Sequence, residues 1–140
     1  MILCIDGSDI NHLGLATYEW TDLTLSDNGW RGMRAKTYDA APEGFLAAIM
    51  DMVQSADEID GIVAVVGPGS ATALRTSVAI ANTIAFARNI PLYGVPRSTD
   101  FDSIFATAEG PTDPVAFLAP VYETEARITP SKKDQLRRDI

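Results

Sequence analysis

The sequence holds one cysteine, Cys4, and one histidine, His12, and these two scarcities remove whole classes of chemistry. A single thiol closes no internal disulfide, and Cys4 within Ile2-Leu3-Cys4-Ile5 reads as a small buried group in a chain suited to a reducing compartment. One Cys and one His cannot assemble the usual zinc clusters, and a lone His without a partner motif argues against a Ser-His-Asp machine. Long apolar runs are also missing. The longest weakly polar stretch is the 12 residues 76–87, flanked by Arg75 and Arg88, too short for a bilayer, and no basic segment precedes an apolar one at the start. A cytoplasmic location without membrane contact is the expectation. Basic charge is scarce as well, with 11 Lys and Arg against 19 Asp and Glu. The deficit is uneven, since residues 1–126 carry 6 basic and 17 acidic side chains while residues 127–140 carry 5 and 2. Such an acidic body repels a phosphate backbone and leaves only Arg127, Lys132, Lys133, Arg137 and Arg138 to touch nucleic acid.

What is present describes a folding domain. Apolar residues at 46% and charged residues at 21%, over 140 positions, are enough for one core and too few for two closing domains. The expected organisation is a single lobe over residues 1–129 followed by a basic tail over residues 130–140.

Residues 1–5 form an apolar run closed by Asp6-Gly7-Ser8-Asp9, a buried strand followed by a tight loop. Residues 12–20 alternate through Leu13, Leu15, Tyr18 and Trp20, and a third strand around residues 34–38 completes a meander, with Ser26-Asp27-Asn28-Gly29 as turn chemistry. Pro42 at a first helical position, followed by Glu43, opens a helix to about residue 56 with a wide apolar stripe. Residues 62–66 are a continuous, largely β-branched run, as in a strand covered on both faces. Gly67-Pro68-Gly69-Ser70 follows, then a helix over residues 71–88 and a strand over residues 90–95, which together make a right-handed βαβ unit. Residues 96–114 read as a connection, helical in flavour only over residues 101–108. Residues 117–128 return to alternation.

Three segments resemble the TsaB (YeaZ) family, the noncatalytic partner subunit in bacterial tRNA threonylcarbamoyladenosine biosynthesis. Ile2-Leu3-Cys4-Ile5-Asp6-Gly7-Ser8 is similar to that family's opening strand and Ile-Asp-Thr-Ser turn. Gly67-Pro68-Gly69-Ser70-Ala71-Thr72-Ala73-Leu74-Arg75 is similar to its GPGSFTGLR segment, followed by Ile90-Pro91-Leu92-Tyr93-Gly94-Val95 as its IPLxGV strand. Pro120-Val121-Tyr122 resembles its terminal PxYLR segment. Ala71 stands where the family has Phe, Ala73 where it has Gly, and the second lobe the family normally carries is almost wholly missing. The resemblance implies an α/β, ribonuclease-H-like single lobe of the actin-like ATPase superfamily, a mixed five-stranded sheet with helices packed on it. It also implies a noncatalytic scaffold without a cofactor, bound to a TsaD-like catalytic subunit. A TsaE-like ATPase would be a further component, a homodimer would form when the chain is alone, and tRNA would be contacted only indirectly.

Three places on the chain invite a functional reading. Residues 76–87 carry no charge on any helical face, although a helix covering one side of a small sheet ought to show water a charged stripe. Leu74, Val78, Ala81 and Ala85 can face the sheet. Ala73, Thr76, Ile80, Thr83 and Ala87, with Phe45, Ala48 and Met52 from the preceding helix, are then the expected contact with a second subunit. The loop Gly67, Gly69, Ser70 lies before a helix N-terminus, where free N–H groups hold phosphate in nucleotide-binding proteins, yet no Lys follows to complete a Walker loop. Tight-turn glycines with Ser70 as a helix cap are the plainer reading, and a small nucleotide- or phosphate-binding protein is the alternative function. Asp6 sits where a ribonuclease-H-like nuclease would place a metal ligand, with Asp9 nearby, but the strand over residues 62–66 ends in glycine and proline rather than a further acid. No catalytic or metal-binding residue is therefore expected. His12, Trp20 and Trp30 read as packing residues.

Overall fold

The computed structural model describes residues 1–21 and 29–122. Five strands, β1 (Ile2–Asp6), β2 (His12–Thr21), β3 (Gly29–Asp39), β4 (Gly61–Gly67) and β5 (Leu92–Pro96), form one mixed sheet in the order β3-β2-β1-β4-β5. The β1-β2 and β2-β3 pairs are antiparallel, and the β1-β4 and β4-β5 pairs are parallel. Register follows the pleat: Leu3 lies between Thr17 and Ile62, and Ile5 between Leu15 and Ala64. Alternate residues therefore build two cores. Leu3, Ile5, Leu13, Leu15, Ile62 and Ala64 face the helices, whereas Ile2, Cys4, Ala16, Tyr18 and Val63 face the other side.

Helices α1 (Phe45–Val53) and α2 (Ala71–Arg88) cover the first face. The second is closed by the short helix α3 (Phe101–Ile104) and Phe105, whose ring stacks on Tyr18 at 3.9 Å. The Tyr18 hydroxyl donates to the Asp102 carboxylate, so ring and hydroxyl both fasten this cover. Burial, with the neighbouring Asp102 charge in second place, pushes the Cys4 thiol up, and burial followed by the Asp102 hydrogen bond does the same to the Tyr18 phenol.

Several expected boundaries move. The helix expected from Pro42 to residue 56 is broken in three: a 3-10 turn over Pro42–Gly44, α1 itself, and a second 3-10 turn over Ala56–Glu58. Gln54 ends α1 at φ 62, and the Ser55 side chain accepts from Asp57 N at 3.2 Å to start the next turn. β3 begins at Gly29, well before residue 34, and pairs by backbone with β2 from end to end. β5 starts at Leu92 rather than residue 90, because Pro91 contributes its carbonyl to Ile62 N at 3.0 Å and has no N–H to give. The helix expected over residues 101–108 stops at Ile104. Within the alternating segment 117–128, residues 117–122 are not a strand and the rest lie outside the described residues, as do most of the turn at 26–29 and the basic tail.

The outer face of helix α2 and the glycine turn

Helix α2 starts where Ser70 Oγ accepts from Ala73 N at 3.3 Å and stops at Asn89, whose left-handed φ of 53 closes the last turn. Its inner face is Ala73, Leu74, Ser77, Val78, Ala81 and Ala85, all buried. Ala79, Thr83 and Ala87 are exposed, Thr76 and Ile80 are half-buried, and Phe86 leaves 88% of its surface in water. The hydroxyls on this outer face turn back into the helix, Thr76 Oγ1 donating to Thr72 O at 3.1 Å and Thr83 Oγ1 to Ala79 O at 2.7 Å. Their methyl groups are what remains to face outward, and the surface is more apolar than its composition.

Neighbours extend it on both sides. Leu46 of α1, 52% exposed, lines a shallow hollow with Ala79, Ile80, Thr83 and Ile84. Phe117, 71% exposed, lines another with Phe86, Ala87 and Thr83. The segment carrying Phe117 is clamped to the helix by both halves of one amide: Asn82 Nδ2 donates to Leu118 O at 3.0 Å and Leu118 N donates to Asn82 Oδ1 at 2.7 Å.

Half of the residues expected at a subunit contact are elsewhere. Phe45, Ala48, Met52 and Ala73 are between 0% and 7% exposed and belong to the chain's own core. The phase of α1 explains this: Phe45, Ala48, Ile49, Met52 and Val53 make an i, i+3, i+4, i+7, i+8 stripe aimed at the sheet, and Leu46 is the large apolar residue left outside. Leu46, Phe86 and Phe117 were missed by sequence reasoning. The helical phase carries the signal for the first two, but nothing local marks the segment of Phe117 as packing beside α2.

The glycine turn is occupied by its own chain. Ser70 N donates to Ser8 O at 2.9 Å, so one N–H of the candidate phosphate loop is spent, while Ser70 Oγ serves the helix. A Cβ on Gly69 would stand 2.6 Å from Ser8 O, and Gly67, at φ 135, lies against the Val121 backbone. Val121 N donates to Val66 O at 2.7 Å and Arg97 N to Gly67 O at 2.7 Å, which packs the turn from the far side. Asp6 accepts from Ser8 N at 3.1 Å and Ser8 Oγ at 2.6 Å. Its carboxylate thus holds the β1 loop, which in turn holds the start of α2. Asp9 is drawn below the usual carboxylate range by hydrogen bonds from Asn11 N and His12, and the His12 ring lies 3.4 Å from Asp39 across the strand. No group of three or more metal-ligating side chains forms among the described residues.

This strand order, with its meander, parallel half and helices, is that of a ribonuclease-H-like, actin-like lobe, and two solved structures superpose on it. YeaZ from Pseudomonas aeruginosa superposes with a TM-score of 0.51 at 18% identity, over 68% of this chain and 42% of that one. A second Pseudomonas aeruginosa structure, a protein described as similar to peptidase YEAZ, gives 0.50 at 19% identity over the same shares. The present chain therefore spans less than half the length of either. No curated protein matches it. Residues 43–118 match the family described as TsaD: tRNA N6-adenosine threonylcarbamoyltransferase, and the chain belongs to that family. The YeaZ structures show that it shares their fold. Among the described residues, no helix is long and apolar enough to cross a membrane.

Proposed function

We propose that this chain is a noncatalytic, TsaB-like scaffold in tRNA N6-threonylcarbamoyladenosine formation, holding a TsaD-like catalytic subunit against the outer face of α2. The observation that carries the reading is a helix uncharged from residue 76 to residue 87, whose Phe86 stands 88% in water beside Phe117. Burying one such ring is worth about 2 kcal/mol, and a face of this kind is covered most economically by another subunit's helices. The tightly packed glycine turn, with Ser70 N bound to Ser8 O, supports a structural rather than a phosphate-binding role for Gly67, Gly69 and Ser70. On this reading the transfer chemistry belongs to the partner, tRNA is met through it, and a TsaE-like ATPase joins the assembly through the partner as well. In the partner's absence a second copy takes the same face.

Co-purification with a TsaD homologue tests the proposal. Ala79→Glu and Phe86→Asp place charge on exposed positions, so each variant should keep its circular dichroism spectrum and lose the complex. A complex retained by the double variant would overturn it.

A further inference from the structure

The parallel strands begin at the end of the sheet opposite the glycine turn, and there a cavity of about 590 Å³ opens on the face away from α1 and α2. Trp20 and Trp30, cross-strand partners on β2 and β3, form one side of it, and Tyr93 of β5 lines another. The two indoles meet edge to face at 5.5 Å with planes 82° apart, so they make a corner rather than a flat wall. Trp30 is braced from behind by Phe105, 5.3 Å away, and Trp20 is 46% exposed. Trp30 also keeps its buried indole N–H without a hydrogen-bond partner among the described residues.

Charge at this site leans negative. Glu19, Asp60 and Glu109 line the cavity, and the single cation in the lining is the Met1 ammonium, 2.5 Å from Asp60. An excess of negative charge remains over aromatic walls. Mutually perpendicular aromatic planes attract a cation through their faces without asking it for hydrogen bonds, and surrounding carboxylates add a long-range pull. The volume lies in the range of small-molecule pockets.

We propose that this cavity binds a small alkylated ammonium compound, its head group in the corner of Trp20 and Trp30 and its charge balanced by Glu109. The site lies on the opposite face of the sheet from α2, so the fate of the scaffold reading does not decide it.

Choline titrated into the intact chain is the direct test, read by tryptophan fluorescence and by the indole N–H resonances. Saturable binding is expected, with the Trp20 and Trp30 resonances moving, and the neutral carbon isostere 3,3-dimethylbutan-1-ol should bind about tenfold more weakly. Trp20→Ala changes a half-exposed side chain and should weaken choline binding about tenfold with an unaltered circular dichroism spectrum; Glu109→Gln should weaken it less and remove part of its salt dependence. Equal binding of the isostere, no saturation up to about 100 mM choline or tetramethylammonium, or indifference to Trp20→Ala would overturn the proposal. Phosphatidylcholine vesicles form the remaining arm. They should fail to sediment the protein, and Trp20-dependent sedimentation would overturn the assignment to a free ligand.

Discussion

Gly69 shows how closely β1 and α2 approach. A methyl group there would meet Ser8 O at 2.6 Å and Ser8 Cβ at 2.8 Å, both fixed by the Asp6 carboxylate and by Ser70 N, so neither can step aside cheaply. Gly69→Ala should cost about 1–3 kcal/mol in a urea melt, whereas Gly44→Ala, whose added methyl comes only to 3.7 Å from Ala40 Cβ, should be neutral or slightly stabilising. Cys4 and Tyr18 make a prediction about pH. Both groups have their folded pKa raised, chiefly by burial, so their stabilising share is intact below the unfolded values and declines as alkali ionises the unfolded chain first. The melting temperature should therefore fall from about pH 8.5 upward, and Cys4→Ala should flatten the first part of that fall. At this scale the sequence spoke clearly about Cys4, a thiol in an apolar run. It was silent about Tyr18, because its partner Asp102 lies 84 residues away.

For whole elements, legibility tracked how completely each one carries its own boundary signals. Helix α2 was readable in extent, since Ser70 marks its start, whereas its end at Asn89 in the left-handed region is seen only in the structure. Ser70→Ala should remove about 1 kcal/mol, seen as a lower denaturation midpoint with an unchanged slope. The α1 region was misread in length because Pro42 and Glu43 signal a start without showing that the first turn is 3-10, and nothing in Gln54 announces a positive φ. Strand β3 was found late for another reason. As an edge strand whose middle is exposed throughout, it has no inward face to produce alternation, and its register is carried by backbone pairing to β2. The five-stranded mixed sheet itself was legible, because residues 62–66 require cover on both faces and the glycine turn with its helix forces a parallel return.

In the molecule as a whole, the missing charge over residues 76–87 was visible in the sequence, but which side chains make the surface was not. Four of the eight residues expected there are core, and the exposed replacements come from α1, α2 and a segment near residue 117. Sedimentation velocity of the pure chain should show a dimer that Phe86→Asp converts to monomer, with a loss of at least about tenfold in association constant. Asn82→Ala is a more searching variant. It leaves Ala79, Thr83 and Phe86 in place yet removes both hydrogen bonds to Leu118, so association should weaken while the far-ultraviolet spectrum stays the same. That amide clamp ties a late stretch of the chain to the middle of α2. Phe117 therefore owes its place beside Phe86 to a pair of hydrogen bonds that span 36 residues of chain, a local rim set by a distant segment.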